Sequence, residues 1–179
     1  MAEVNIYEGA IDKGLEGVVA CTTAVSFIVG NTLIYRGYTI EDLAANSTFE
    51  ETTFLLWNNR MPNKAELTNF SAELNSNMNL DPAFINVLKT LPNKNVHPMA
   101  WLRTAVSLMS HWDADASDIG ADANCRKAVR LTAKMGSIVT AFEAIRNGRE
   151  VLNPKSGKSI AWNFMYMLKG FFRWRFLRE

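Results

Sequence analysis

Cysteine and histidine are scarce in this chain of 179 residues, with two of each. Cys21 and Cys125 lie far apart and match no metal-ligand or redox spacing. That excludes a disulfide framework and points to a reduced, cytosolic chain. Charge of one sign is also lacking: 19 basic side chains against 18 acidic ones leave a net charge of +1. So balanced a chain has no electrostatic reason to take nucleic acid or an anionic membrane as partner. No apolar run reaches the roughly 18 uncharged residues that a membrane span requires. The start, Met1-Ala2-Glu3-Val4-Asn5, has neither the basic opening nor the apolar stretch of a signal peptide. The expected location is therefore cytoplasmic. No Gly-Gly pair and no Gly-x-Ser-x-Gly elbow occurs.

What remains is a globular composition, 48% hydrophobic and 21% charged, long enough to bury about 70% of its unfolded surface without staples. Between Val18 and Tyr38 the texture is β-branched and aromatic: Val18, Val19, Thr22, Thr23, Val25, Phe27, Ile28 and Val29, then Gly30-Asn31, then Thr32-Leu33-Ile34-Tyr35. Two short β runs about a Gly-Asn turn predict a hairpin. Everything after it reads as helix. Thr39 caps a helix over 40–45, and Ser47-Thr48-Phe49-Glu50 reads as a capping box before Phe54, Leu55 and Trp57 on one face. Asn63-Lys64-Ala65-Glu66 opens a helix to about Asn77. Asp81-Pro82 and His97-Pro98 open helices over 82–91 and 98–112, because the first helical turn does not use the amide proton that proline lacks. A long helix follows over 122–147, with Gly136 as a bend and Gly148 as its stop, and a last one over 159–169. The fold class is all-α: a helical bundle with a small N-terminal β-hairpin.

The helix over 98–112 is unusually apolar. Trp101, Leu102, Ala105, Val106, Leu108, Met109 and Trp112 hold seven of twelve positions from 101 on. Arg103, Ser107 and Ser110 form a narrow polar stripe. So wide an apolar face predicts burial on several sides, either centrally in the domain or between two subunits.

Constellations that could carry chemistry are incomplete. His97 reads as a helix cap and His111 as a surface residue at the negative end of a helix dipole. His111, Asp113, Asp115, Asp118 and Asp122 suggest a cation loop. A calcium loop, however, needs glycine at its sixth position and glutamate at its twelfth, where this chain has Asp118 and Asn124. A solvated interhelical loop explains the charges. Ser156-Gly157-Lys158-Ser159 imitates the end of a phosphate-binding loop, but Leu152 stands where the first glycine belongs, and no buried strand precedes it. Ser159 reads as an N-cap. No residue is assigned to catalysis, to a cofactor or to a metal, and no cofactor is expected.

Several separated runs nevertheless resemble one family. Gly14-Leu15-Glu16-Gly17-Val18-Val19, Leu33-Ile34-Tyr35-Arg36-Gly37-Tyr38-Thr39-Ile40-Glu41-Asp42-Leu43-Ala44, Phe49-Glu50-Glu51, Leu55-Leu56-Trp57-Asn58, Arg60-Met61-Pro62, His97-Pro98-Met99, Leu102-Arg103-Thr104-Ala105-Val106-Ser107 and Ile145-Arg146-Asn147-Gly148 occur in the order and spacing of bacterial citrate and 2-methylcitrate synthases. The likeness covers about residues 10 to 170 and is that of the N-terminal part of the large domain. It implies an all-helical, dimeric acyltransferase that condenses acetyl-CoA with oxaloacetate to give citrate and CoA at the entry to the tricarboxylic acid cycle. Such enzymes use two histidines, an aspartate and substrate-binding arginines. None of these transfers to this chain, which has no histidine after His111. Acetyl-CoA and oxaloacetate are therefore expected only of full-length members, and this chain is expected to be inactive alone.

By the same resemblance, residues 81–91 and 98–112 form a homodimer interface, with Trp101, Leu102, Ala105, Val106, Leu108, Met109 and Trp112 as its residues. The alternative is a non-catalytic interaction protein derived from the fold. After Gly170 the resemblance stops. Phe171-Phe172-Arg173-Trp174-Arg175-Phe176-Leu177-Arg178-Glu179 carries four aromatics and three arginines without an amphipathic face. The domain reading is therefore a partial large domain over 1–170 and an aberrant tail over 171–179. A shifted reading frame or a truncation explains that tail better than a membrane-surface or nucleic-acid-stacking segment.

Overall fold

A computed structural model describes residue 19 and residues 21–169. The 171–179 segment, the run from Gly14 to Val18 and the expected start of the hairpin lie outside the described residues. Three short strands come first: β1 (Ser26–Val29), β2 (Thr32–Tyr35) and β3 (Tyr38–Thr39), in antiparallel order β1-β2-β3. The register pairs Val29 with Thr32 and Tyr35 with Tyr38, so each connection is a two-residue turn. Gly30 alone has positive φ in the first turn (+59°), the pattern of a type II′ turn. Arg36 (+49°) and Gly37 (+92°) both have it in the second, the pattern of type I′. The expected hairpin is thus a three-stranded sheet that begins at Ser26, and Thr39 ends β3 as well as capping the next helix. A two-residue strand carries too little periodicity to be read from sequence. The Arg36 guanidinium ties the sheet to the bundle by donating to the carbonyls of Ala24 (3.1 Å) and Leu56 (3.2 Å).

Seven α-helices follow among the described residues: α1 (Ile40–Asn46), α2 (Phe49–Asn58), α3 (Lys64–Ser76), α4 (Pro82–Thr90), α5 (Pro98–Met109), α6 (Ala121–Arg146) and α7 (Ile160–Lys169). Their starts follow the expected chemistry. Thr39, Asn63, Asp81 and His97 each accept a backbone N–H of the first turn, which satisfies donors that the helix cannot. One capping box moves by a residue. Thr48, not Ser47, is the N-cap of α2, and its partner is Glu51, whose carboxylate accepts from the Thr48 N–H at 2.8 Å.

Two clusters make the core, and α6 passes through both. Phe54, Phe70, Leu74 and Met78 pack on Val129 and Ala133 from the first half of α6 and on Tyr166 and Met167 of α7. Leu80, Phe84 and Leu88 with Trp101, Ala105 and Met109 pack on Ile138, Ala141 and Phe142 from its second half. At 26 residues α6 is about 39 Å long, and it touches α3, α4, α5 and α7. Even its polar residues are covered: Ser137 and Thr140 are each 3% exposed, and Ser137 Oγ donates to the Met78 carbonyl at 2.8 Å. The helix enclosed on several sides is therefore α6, where the sequence pattern points to α5. α6 also runs unbroken through Gly136. A Cβ there would stand 3.4 Å from the Phe164 ring, in ordinary contact with α7. Trp57, expected on the core face of α2, is 41% exposed and meets Phe70 edge-on at 5.5 Å.

Candidate functional site

Helices α4 and α5 begin alike, on Asp81-Pro82 and His97-Pro98. Asp81 accepts from the N–H groups of Ala83 and Phe84, and His97 Nδ1 accepts from Met99 at 3.2 Å. His97 is thereby the cap expected of it. His111 lies exposed in a 3₁₀ turn over Ser110–Trp112.

The seven apolar residues of α5 and this turn divide into three sets. Trp101, Ala105 and Met109 are 3%, 0% and 7% exposed and face the core of their own chain, where the Trp101 ring lies 4.7 Å from that of Phe142. Leu102, Val106 and Leu108 are half-buried at the flanks. Trp112 is partly exposed, with its ring edge-on to Phe84 at 5.3 Å. Val87 of α4 and Met99 of α5 add further exposed apolar surface on the same two helices. The surface left open to a second molecule on this helix is thus narrower than the sequence pattern alone suggests.

The acidic loop after α5 is not a freely solvated connection. Asp113 and Asp115 receive bidentate hydrogen bonds from Arg130 and Arg126 of α6, and Arg130 Nη2 also reaches Asp115 at 2.7 Å. Hydrogen bonds from Arg126 and then Arg130 hold the Asp115 carboxyl well below the usual carboxylate range. Burial pushes Asp113 up, but the Arg130 guanidinium, the Asp115 N–H and the Arg130 charge outweigh it and leave Asp113 low. Lys127 donates to the carbonyl of Asp118. Of the carboxylates that looked like cation ligands, Asp113 and Asp115 are engaged by guanidinium groups, a geometry suited to clamping a loop to a helix, and Asp118 accepts from the Gly120 N–H.

The Ser156-Gly157-Lys158-Ser159 turn is likewise committed to structure. Ser159 Oγ accepts from the Trp162 N–H at 3.1 Å, as an N-cap should. Asn75 donates to the Lys158 carbonyl at 2.7 Å and accepts from the Gly157 N–H at 3.3 Å. Fully buried Asn163 accepts from the Lys155 N–H and donates to the carbonyls of Lys155 and Lys158. Beside the turn a cleft of about 630 Å³ opens between α3 and the start of α2, lined by Thr48, Glu50, Thr68, Ser71, Asn75 and Ser156 among others. Glu50, expected to close the capping box of α2, instead accepts from the distant Ile160 N–H, and nothing local to Asn163 distinguishes it from a surface residue.

The bundle, seven helices behind a small sheet among the described residues, matches a known helical family. Residues 14–177 match the family described as "Citrate synthase, C-terminal domain", a span that continues past Gly170, where the motif-by-motif resemblance stops. Over 158 residues the chain is 46% identical to "Citrate synthase 2" of Bacillus subtilis, covering 88% of this chain and 42% of that one. It is 42% identical over 162 residues to a "2-methylcitrate synthase" of Mycobacterium tuberculosis, covering 89% and 40%. The solved citrate synthase of Pyrobaculum aerophilum superposes with a TM-score of 0.79 at 35% identity, over 88% of this chain and 42% of that structure. The chain belongs to the citrate synthase family and spans about 42% of the length of these relatives. Among the described residues no helix is long and apolar enough to cross a membrane.

Proposed function

We propose that this chain is the N-terminal part of the large domain of a citrate-synthase-type acyltransferase, that it pairs with a second copy through α4 and α5, and that alone it does not turn over substrate. In this reading residues 1–170 make up that partial domain and 171–179 an aberrant tail, with the family match running on to residue 177. The whole family member condenses acetyl-CoA with oxaloacetate to give citrate and CoA and so stands at the entry to the tricarboxylic acid cycle. The family match over 14–177 carries this reading. The absence of any histidine after His111 supports inactivity, since a histidine is the natural group to donate a hydrogen bond to a developing enolate. The exposed free thiols of Cys21 and Cys125 fit a reducing cytoplasm.

Half-buried Leu102, Val106 and Leu108 support pairing, since a partner helix would remove their remaining apolar surface from water. The same face suits a longer relative as well as a second copy.

Purified chain supplied with acetyl-CoA and oxaloacetate is expected to release no CoA thiol. In light scattering it is expected to run as a dimer that Leu102→Glu with Val106→Glu converts to a folded monomer. Thiol release at an enzymatic rate overturns the inactive reading. A dimer that survives both charges overturns the assigned face. Met109→Glu is unsuited to this test, because Met109 lies in the chain's own core.

A further inference from the structure

Asn147-Gly148 is the only Asn-Gly pair in the sequence, and it stands where α6 stops. Glycine leaves the following amide nitrogen sterically open, which makes this pair the asparagine context most prone to intramolecular attack. Both residues are exposed. We infer that Asn147 is a conformationally gated deamidation site, closed while the last turn of α6 is formed and acting as a one-way local switch once it opens.

The chemistry needs only base and water. The Gly148 nitrogen loses its proton and bonds to Asn147 Cγ, the Nδ2 group leaves as ammonia, and a succinimide ring results. Water then opens either carbonyl to give aspartate or isoaspartate.

The folded turn blocks the first step three times over. The Gly148 N–H is bonded to the Ile145 carbonyl at 3.1 Å, in a Schellman closure completed by Arg149 N–H to Ala144 O at 2.8 Å and by φ +63° at Gly148. Asn147 has ψ 9°, which turns the Gly148 nitrogen away from its Cβ–Cγ bond. Its Nδ2 donates to both Glu143 O and Glu143 Oε1 at 2.7 Å, holding the leaving amide in place.

The product cannot restore this arrangement. A carboxylate at 147 would face the Glu143 carboxylate where a donor had been, at the negative end of a 26-residue helix. Isoaspartate would add a backbone methylene and break the Gly148 register. The opened turn also carries Arg149, which donates to the Leu168 carbonyl at 3.2 Å, so the change reaches the end of α7.

The test follows ammonia release and peptide mass maps of the full chain in mildly alkaline buffer, folded and in guanidinium chloride. Asn147 is expected to convert at least about tenfold faster in the unfolded chain. Glu143→Ala is expected to speed the folded chain about three- to tenfold by removing one acceptor. Asn147→Asp, which folds without waiting for the reaction, is expected to raise amide exchange at Gly148 and Arg149. Equal rates folded and unfolded overturn the gate, and unchanged exchange in Asn147→Asp overturns the switch.

Discussion

The carboxylate of Glu50 accepts a 2.8 Å hydrogen bond from the backbone N–H of Ile160, the first residue of α7, although the two stand 110 residues apart in the chain. Glu50 is 5% exposed. A helix N-terminus offers unpaired N–H groups and the positive end of the dipole, so a buried carboxylate there is compensated by what it caps. The bond also fastens the start of α2 to the start of α7.

Glu50→Ala should therefore cost about 2–3 kcal/mol, because it leaves a buried N–H unpaired, whereas Glu50→Gln, which keeps an acceptor, should cost about 1 kcal/mol. Urea unfolding with an unchanged slope measures both. An alanine variant with the wild-type midpoint would show that Ser159 alone suffices as the cap of α7.

Acid should act through a small set of carboxylates. Asp113 and Asp115 are held low as described, and Glu66 lies at about 2 through the hydrogen bond from Arg60 and then the Asn63 N–H. A carboxyl whose pKa is depressed on folding contributes its full stability above its unfolded value and loses it as pH falls through the folded one. Thermal stability should therefore hold with respect to these groups above about pH 5 and decline below about pH 4. Arg130→Gln should lower the neutral plateau and flatten the acid limb. A variant whose acid limb parallels that of the parent would remove the Asp113–Arg130–Asp115 clamp from the explanation.

At Gly136 the helix and its neighbour make opposing demands. Helix propensity favours alanine over glycine by about 1 kcal/mol, and the added Cβ would meet Phe164 at 3.4 Å, an ordinary contact distance. Gly136→Ala is expected to raise stability by about 0.5–1 kcal/mol. Gly136→Leu is expected to destabilise by about 1–3 kcal/mol by pushing α7 off α6. If alanine destabilises as strongly as leucine, the approach of Phe164 is tighter than this distance implies.

The helix starts were legible because caps are local. Thr39, Asn63, Asp81, His97 and Ser159 each act within three residues of themselves. The family was legible because its motifs recur in order along the chain. What escaped was chemistry across distance: Glu50 on Ile160, Asn163 on Lys155, and Arg126 and Arg130 on the acidic loop. The centre of the bundle escaped for a related reason. α6 buries Ser137, Thr140 and several alanines, small residues that weigh little in an apolar count, while the bulky pattern of α5 includes flanking residues that its own chain only half covers.

The passage of α6 through both core clusters has a consequence for synthesis. A chain emerging from its N-terminus completes the sheet and five helices before residue 121 appears, yet α3, α4 and α5 all rest on the helix that starts there. Until α6 has been made, Leu74, Leu88 and Trp101 lack the surface that covers them in the finished chain. The nascent protein therefore carries the apolar faces of α3, α4 and α5 open until residues 121–146 have been made, and α7 closes on the first cluster only after a further stretch of chain.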